Sequence, residues 1–171
     1  MKKAILLSVV FWTVLSSCSS KKTVSEDRKN SRSQILTPCP ENSDCSLEVH
    51  PGKSMAVKDD AIGAVYYELE DNSKKTTYHY TCNLKTDNQY QDAGYREEVI
   101  FEIDNSNTDL ELTDAELQNT KILFGVWCYC KGKAGNYKIA KGTFSKKGKE
   151  IKIDFPAIVA DQKVTGLRIR L

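Results

Sequence analysis

Apolar and polar residues alternate along most of the chain, in short runs divided by turn-forming residues. Val65, Tyr67 and Leu69 alternate with Tyr66, Glu68 and Glu70. Tyr78, Tyr80 and Cys82 alternate with Thr77, His79 and Thr81, and Val99, Phe101 and Ile103 with Glu98, Ile100 and Glu102. The same pattern returns at Ile151, Ile153 and Phe155 and at Leu167, Ile169 and Leu171. Successive side chains on a strand point to opposite faces, so each run predicts a half-buried strand. Residues 121–130 (KILFGVWCYC) are apolar on both faces and predict a central strand. Further strands are expected at 136–145 and 46–50, with weaker candidates at 53–57 and 109–112.

The breaks carry turn chemistry: Pro51-Gly52, Asp71-Asn72-Ser73, Lys133-Ala134-Gly135-Asn136 and Lys146-Lys147-Gly148-Lys149. The short link from Phe144 to Ile151 predicts a hairpin. One short helix is expected at 114–119, because Thr113-Asp114-Ala115-Glu116 matches a capping box. Eight or nine strands with at most one short helix predict an all-β domain. It is either an antiparallel β-sandwich or an up-and-down barrel.

The N-terminus has a different pattern. Met1-Lys2-Lys3 precedes an unbroken, mostly apolar run from Ala4 to Leu15 (AILLSVVFWTVL). Twelve residues rise about 18 Å as a helix, short of a hydrocarbon core of roughly 30 Å. The run therefore predicts a cleavable signal peptide over residues 1–17 rather than a permanent span. Leu15-Ser16-Ser17-Cys18 follows and resembles the lipobox of bacterial lipoproteins, with Ser17 in place of the more usual glycine or alanine. The resemblance implies that Cys18 is diacylated on sulfur and becomes the first mature residue. Two or three acyl chains anchor stably where one is marginal. Ser19 is not the aspartate that retains many Gram-negative lipoproteins in the inner membrane. The resemblance thus favours the outer membrane, where there is one. Residues 19–34 hold one valine and no other large apolar residue, so 18–34 reads as lipid anchor and flexible tether. Residues 35–171 remain for a single β domain.

Removing residues 1–17 takes away two lysines and no acids, leaving 23 Lys/Arg against 23 Asp/Glu. A neutral mature chain speaks against nucleic acid as a partner. The charge is divided nonetheless. Residues 35–130 hold seven Lys/Arg and 18 acids, and residues 131–171 hold 11 Lys/Arg and three acids. The favoured reading pairs basic C-terminal strands with acidic neighbours. The competing one makes Lys131, Lys133, Lys138, Lys141, Lys146, Lys147, Lys149 and Lys152 a patch for a polyanion or anionic head groups.

With Cys18 assigned to lipid, Cys39, Cys45, Cys82, Cys128 and Cys130 are the disulfide candidates. Export places them where disulfides persist, and five is an odd number. A local Cys39–Cys45 bridge is expected to staple the start of the domain. Cys128 and Cys130 at i and i+2 of one strand would be strained if joined, so Cys82 is expected to bridge to one of them. That bridge would close a loop of about 47 residues, with a chain-entropy gain of roughly 4 kcal/mol. The remaining thiol would be a buried apolar group. A soft-metal site from Cys82, Cys128, Cys130 and His79 is disfavoured, because a regular strand points His79 and Cys82 to opposite faces. No metal and no cofactor are expected.

The residues show no nucleophile elbow, zinc-protease helix motif or phosphate loop. The only two histidines, His50 and His79, read as a strand-end residue and a polar-face residue. The adjacent Glu97 and Glu98 diverge if they lie on a strand. Aromatic residues are more suggestive. Tyr66, Trp127 and Tyr129 oppose the aliphatic or cysteine rows of their strands and are the candidate ligand face. The expectation is a non-enzymatic, membrane-anchored binding or interaction domain of the cell envelope, with an envelope protein or glycan as partner. A lipocalin-like carrier and an envelope thiol or metal-binding protein are the alternatives.

Overall fold

The computed structural model describes residues 33–85 and 94–171, which belong to one compact unit, Ser31–Leu171. The signal peptide, Cys18 and the tether as far as residue 32 lie outside the described residues. The fold is all-β, with two antiparallel five-stranded sheets. The first sheet runs in the order β1 (Gln34–Ile35), β10 (Gly166–Arg170), β9 (Glu150–Asp154), β8 (Thr143–Lys147) and β5 (Asp109–Thr113). The second runs β2 (Ser43–Asp59), β3 (Val65–Leu84), β4 (Tyr95–Asp104), β6 (Leu123–Cys128) and β7 (Gly135–Lys138). β7 also pairs with β3 at Val65–Asn136, so the second sheet closes on itself as a small barrel. Sandwich and barrel are therefore both present. Gln34, given to the tether by its composition, pairs with Arg170 and belongs to the fold.

The main core lies between the sheets. Tyr78, Tyr80, Val99, Phe101, Phe124 and Val126 of the second sheet meet Phe144, Ile151, Ile153, Leu167 and Ile169 of the first. Phe101 joins the layers, stacked on Tyr78 and edge-on to Phe144. Aromatic pairs in this geometry add about 0.5–1.5 kcal/mol beyond the area they bury. A second, smaller core of Met55, Ile100 and Leu123, flanked by Val57, Val65 and Tyr67, fills the barrel.

Two expected turns prove to be bends inside long strands. Strands expected at 46–50 and 53–57 join as β2, and those around Leu69 and Tyr78 join as β3. Between the pairs Pro51–Thr76 and Lys53–Asp71, β2 contributes Gly52 alone while β3 contributes residues 72–75. Gly52 adopts φ +72°, a conformation that costs a glycine little. This bulge has a consequence for the faces. β3 has three more residues than β2 across this bulge, an odd offset, so one of the two strands must change faces there. Cys45, Leu47 and Val49 thus face the main core, whereas Met55 and Val57, at the same odd spacing, face the barrel core.

The expected strand at 136–145 splits into β7 and β8, which belong to different sheets. Residues 139–142 make the crossing between them. The short helix forms as a 3-10 helix over Asp114–Thr120, with the Glu116 carboxylate accepting from the Thr113 N–H. Leu117 plugs it into the core.

Candidate functional site

The most chemically dense region lies on the barrel-facing side of β2, β3, β4 and β6. Register brings its members together. His79 stands opposite Glu48 on β2 and Ile100 on β4, and His50 lies two residues beyond Glu48. Glu98 is two pairs further along from Ile100, opposite Gly125, and Arg96 is opposite Trp127.

Glu98 organises the group. It is buried, yet Trp127, Arg96 and the His79 imidazole surround it. Nε1 of Trp127 donates to Oε2 at 2.8 Å, Nε of Arg96 reaches Oε1 at 2.7 Å, and Nε2 of His79 stands 3.4 Å from Oε2. Burial works to raise its pKa, but His79, Trp127 and Arg96 together outweigh it and hold the carboxyl below its ordinary range. Glu98 is thus a fixed negative charge whose acceptor positions are occupied. Its role is to position its neighbours. Arg96 also lies over the Trp127 ring, 5.7 Å from the centroid. Tyr67 faces the same space; its phenol is pushed upward by burial first and then by the charge of Glu98.

Gly125 makes this arrangement fit. A Cβ there would sit 3.0 Å from Oδ1 of Asn136, 3.2 Å from Nε1 of Trp127 and 3.4 Å from Cβ of Glu98. Two neighbours would have to give way for any other residue.

At the edge of the group, Oε2 of Glu48 is 3.6 Å from Nε2 of His50. One ligand-type atom each from Glu48, His50 and His79 lie within 4.8 Å of one another. Nε2 of His79 is buried and has no hydrogen-bond partner of good geometry. The two histidines that read separately in the sequence therefore share one site. Sequence reasoning missed it because the pairing depends on the offset at Gly52. The available signal was the i, i+2 spacing of Glu48 and His50, which puts both on one face of a strand.

The adjacent glutamates do diverge. Glu98 turns to the barrel, while Glu97, fully buried, turns to the other sheet and accepts the N–H groups of Lys163 and Val164 and the Tyr95 hydroxyl. At the other end of the barrel Glu102 accepts from the Ser54 hydroxyl and the Met55 N–H, with Nζ of Lys121 3.1 Å away. These two carboxylates hold loops and the bulged strand.

The aromatic candidates do not form one surface. Trp127 lies with Glu98. Tyr66 neighbours Tyr67 along β3 and so points away from the barrel interior that Tyr67 faces. Tyr129 is 89% exposed in the loop after β6.

Cys39 and Cys45 form the expected local bridge, with Cα atoms 5.8 Å apart. The expected Cys82 bridge to Cys128 or Cys130 is absent. Cys128 and Cys130 pair with each other, and Cys82 is free and buried. β6 ends at Cys128, so Cys130 sits in a turn rather than at i+2 of a strand, and the Cα atoms lie 5.2 Å apart, within disulfide range. Cys82 is flanked by Cys45 on β2 and Glu97 on β4, whereas Cys128 pairs with Tyr95, one strand further on.

The basic block is dispersed. Lys133 pairs with Asp161, Lys138 with Asp59, Lys147 with Glu111 and Lys152 with Asp154. Lys146 is buried, its ammonium donating to the carbonyls of Asn107, Thr108 and Gly148. Lys138 and Lys147 thus meet acids of the middle of the chain, as the favoured reading expects, whereas Asp161 and Asp154 belong to the C-terminal block itself.

Comparison with family models, with curated proteins and with solved structures found no match to the chain.

Proposed function

We propose that this chain is a cell-envelope lipoprotein, exported by residues 1–17, held by lipid on Cys18, and presenting a non-enzymatic β domain for binding. The observation that carries the reading is the Leu15-Ser16-Ser17-Cys18 motif directly after an apolar run of signal-peptide length. The Cys39–Cys45 bridge at the start of the domain supports it, since disulfides persist in oxidising compartments. The binding face is the mouth of the barrel at Arg96, Glu98 and Trp127. There an aromatic ring, a cation and a fixed carboxylate stand side by side, groups suited to an envelope protein or a glycan. Met55, Ile100 and Leu123 occupy the barrel interior, which favours a surface site over a carrier cavity.

Cys18→Ala tests the anchor. Labelled palmitate is incorporated into the wild-type chain and not into the variant, and the variant moves from the membrane to the soluble envelope fraction. A variant that stays membrane-bound at full yield defeats the proposal.

A further inference from the structure

We propose that Glu48, His50 and His79 form a binding site for a divalent transition-metal ion of the zinc class. The site goes beyond the lipoprotein reading and does not depend on it. Only two histidines exist in 171 residues. They are 29 positions apart in sequence, yet the fold sets both beside one carboxylate, with potential ligand atoms within 4.8 Å of each other. Strand pairing fixes that proximity: Glu48 and His79 are direct partners across β2 and β3, and His50 follows Glu48 on the same face.

The donor set selects the ion. Two imidazoles and one carboxylate suit zinc and its neighbours, whereas calcium and magnesium take oxygen donors. One feature of His79 supports it further. Its Nε2 stands 3.4 Å from Oε2 of Glu98, itself held by Arg96 and Trp127, so Nδ1 is the nitrogen left to meet the ion. A carboxylate that orients a ligating histidine is the usual companion of such sites. Glu48 is exposed, so a coordination position on its side stays open to water or to a ligand. The other cluster of soft donors, Cys39, Cys45 and Cys82, is not a competing metal site, since two of its three sulfurs are joined in a disulfide.

The test is a titration of the untagged full-length chain, in detergent, with zinc chloride, followed by calorimetry and by the imidazole resonances. With two histidines, two ring systems are observed. Saturable binding of one ion per chain that shifts both rings together supports the site. Glu98→Gln, which acts through the His79 ring, weakens binding about 10–100-fold. His50→Ala, at a partly exposed position, removes saturable binding while the thermal transition is retained. Absence of saturation, movement of one ring only, or stoichiometric binding that survives His50→Ala overturns the proposal.

Discussion

Glu98 concentrates the chemistry of the site in one residue. Its folded pKa is depressed, so it contributes stability above the ordinary carboxyl range and loses that contribution as pH falls through the folded value. Glu98→Gln is expected to cost about 1–3 kcal/mol at pH 7, where a charged acceptor is removed from Trp127, Arg96 and His79. The gap between wild type and variant narrows from about pH 5 downward. Urea unfolding at pH 7, 5 and 3.5 measures this, and a gap independent of pH contradicts it. The alternation around Glu98 was readable in the sequence, as was its divergence from Glu97. Its three neighbours were not, because Trp127 and His79 come from different strands.

Among the elements, the β2–β3 ribbon decides most. Its two halves serve different cores, and the single residue Gly52 switches the face between them. The Lys121–Glu102 group pins the ribbon just past that bulge. Nζ of Lys121 donates to the Met55 carbonyl at 2.6 Å, and Glu102, 2% exposed, accepts from the Met55 N–H. Lys121→Met leaves Lys75, 3.7 Å away, as the cation beside Glu102, which keeps its Ser54 and Met55 donors. A loss of about 1–3 kcal/mol is expected, below that of a fully buried pair, because the Lys121 side chain is 38% exposed and Lys75 remains. Chemical denaturation measures it, and a loss under about 0.5 kcal/mol would place the residue among ordinary surface positions. Turn chemistry at Pro51-Gly52 and Asp71-Asn72-Ser73 was legible. It marked a bend because both strands of the ribbon deform together and keep pairing on either side.

On the scale of the molecule, the two sheets enclose Cys82 completely. Burial, and then the charge of Glu97, push its thiol above the ordinary range, so it is a poor nucleophile as well as an inaccessible one. Iodoacetamide is expected to label Cys82 in the native chain only at the rate of global unfolding. Labelling followed by mass spectrometry across a urea series checks this. Rapid modification without denaturant would show that the sandwich opens locally at β3.

The sequence by itself determined the all-β class, most strands, the capping box at Thr113 and the Cys39–Cys45 staple. These rest on local signals: a period of two, a four-residue motif and a bridge six positions apart. Only the tertiary structure decided that sandwich and barrel coexist. It also decided that Cys128 turns back on Cys130 while Cys82 stays free, and that His50, His79 and Glu48 meet. Each of these depends on register between distant strands. The three-residue offset between β2 and β3 at Gly52 reverses which face the β2 side chains occupy, and the alternation on either side reads the same until the pairing is known.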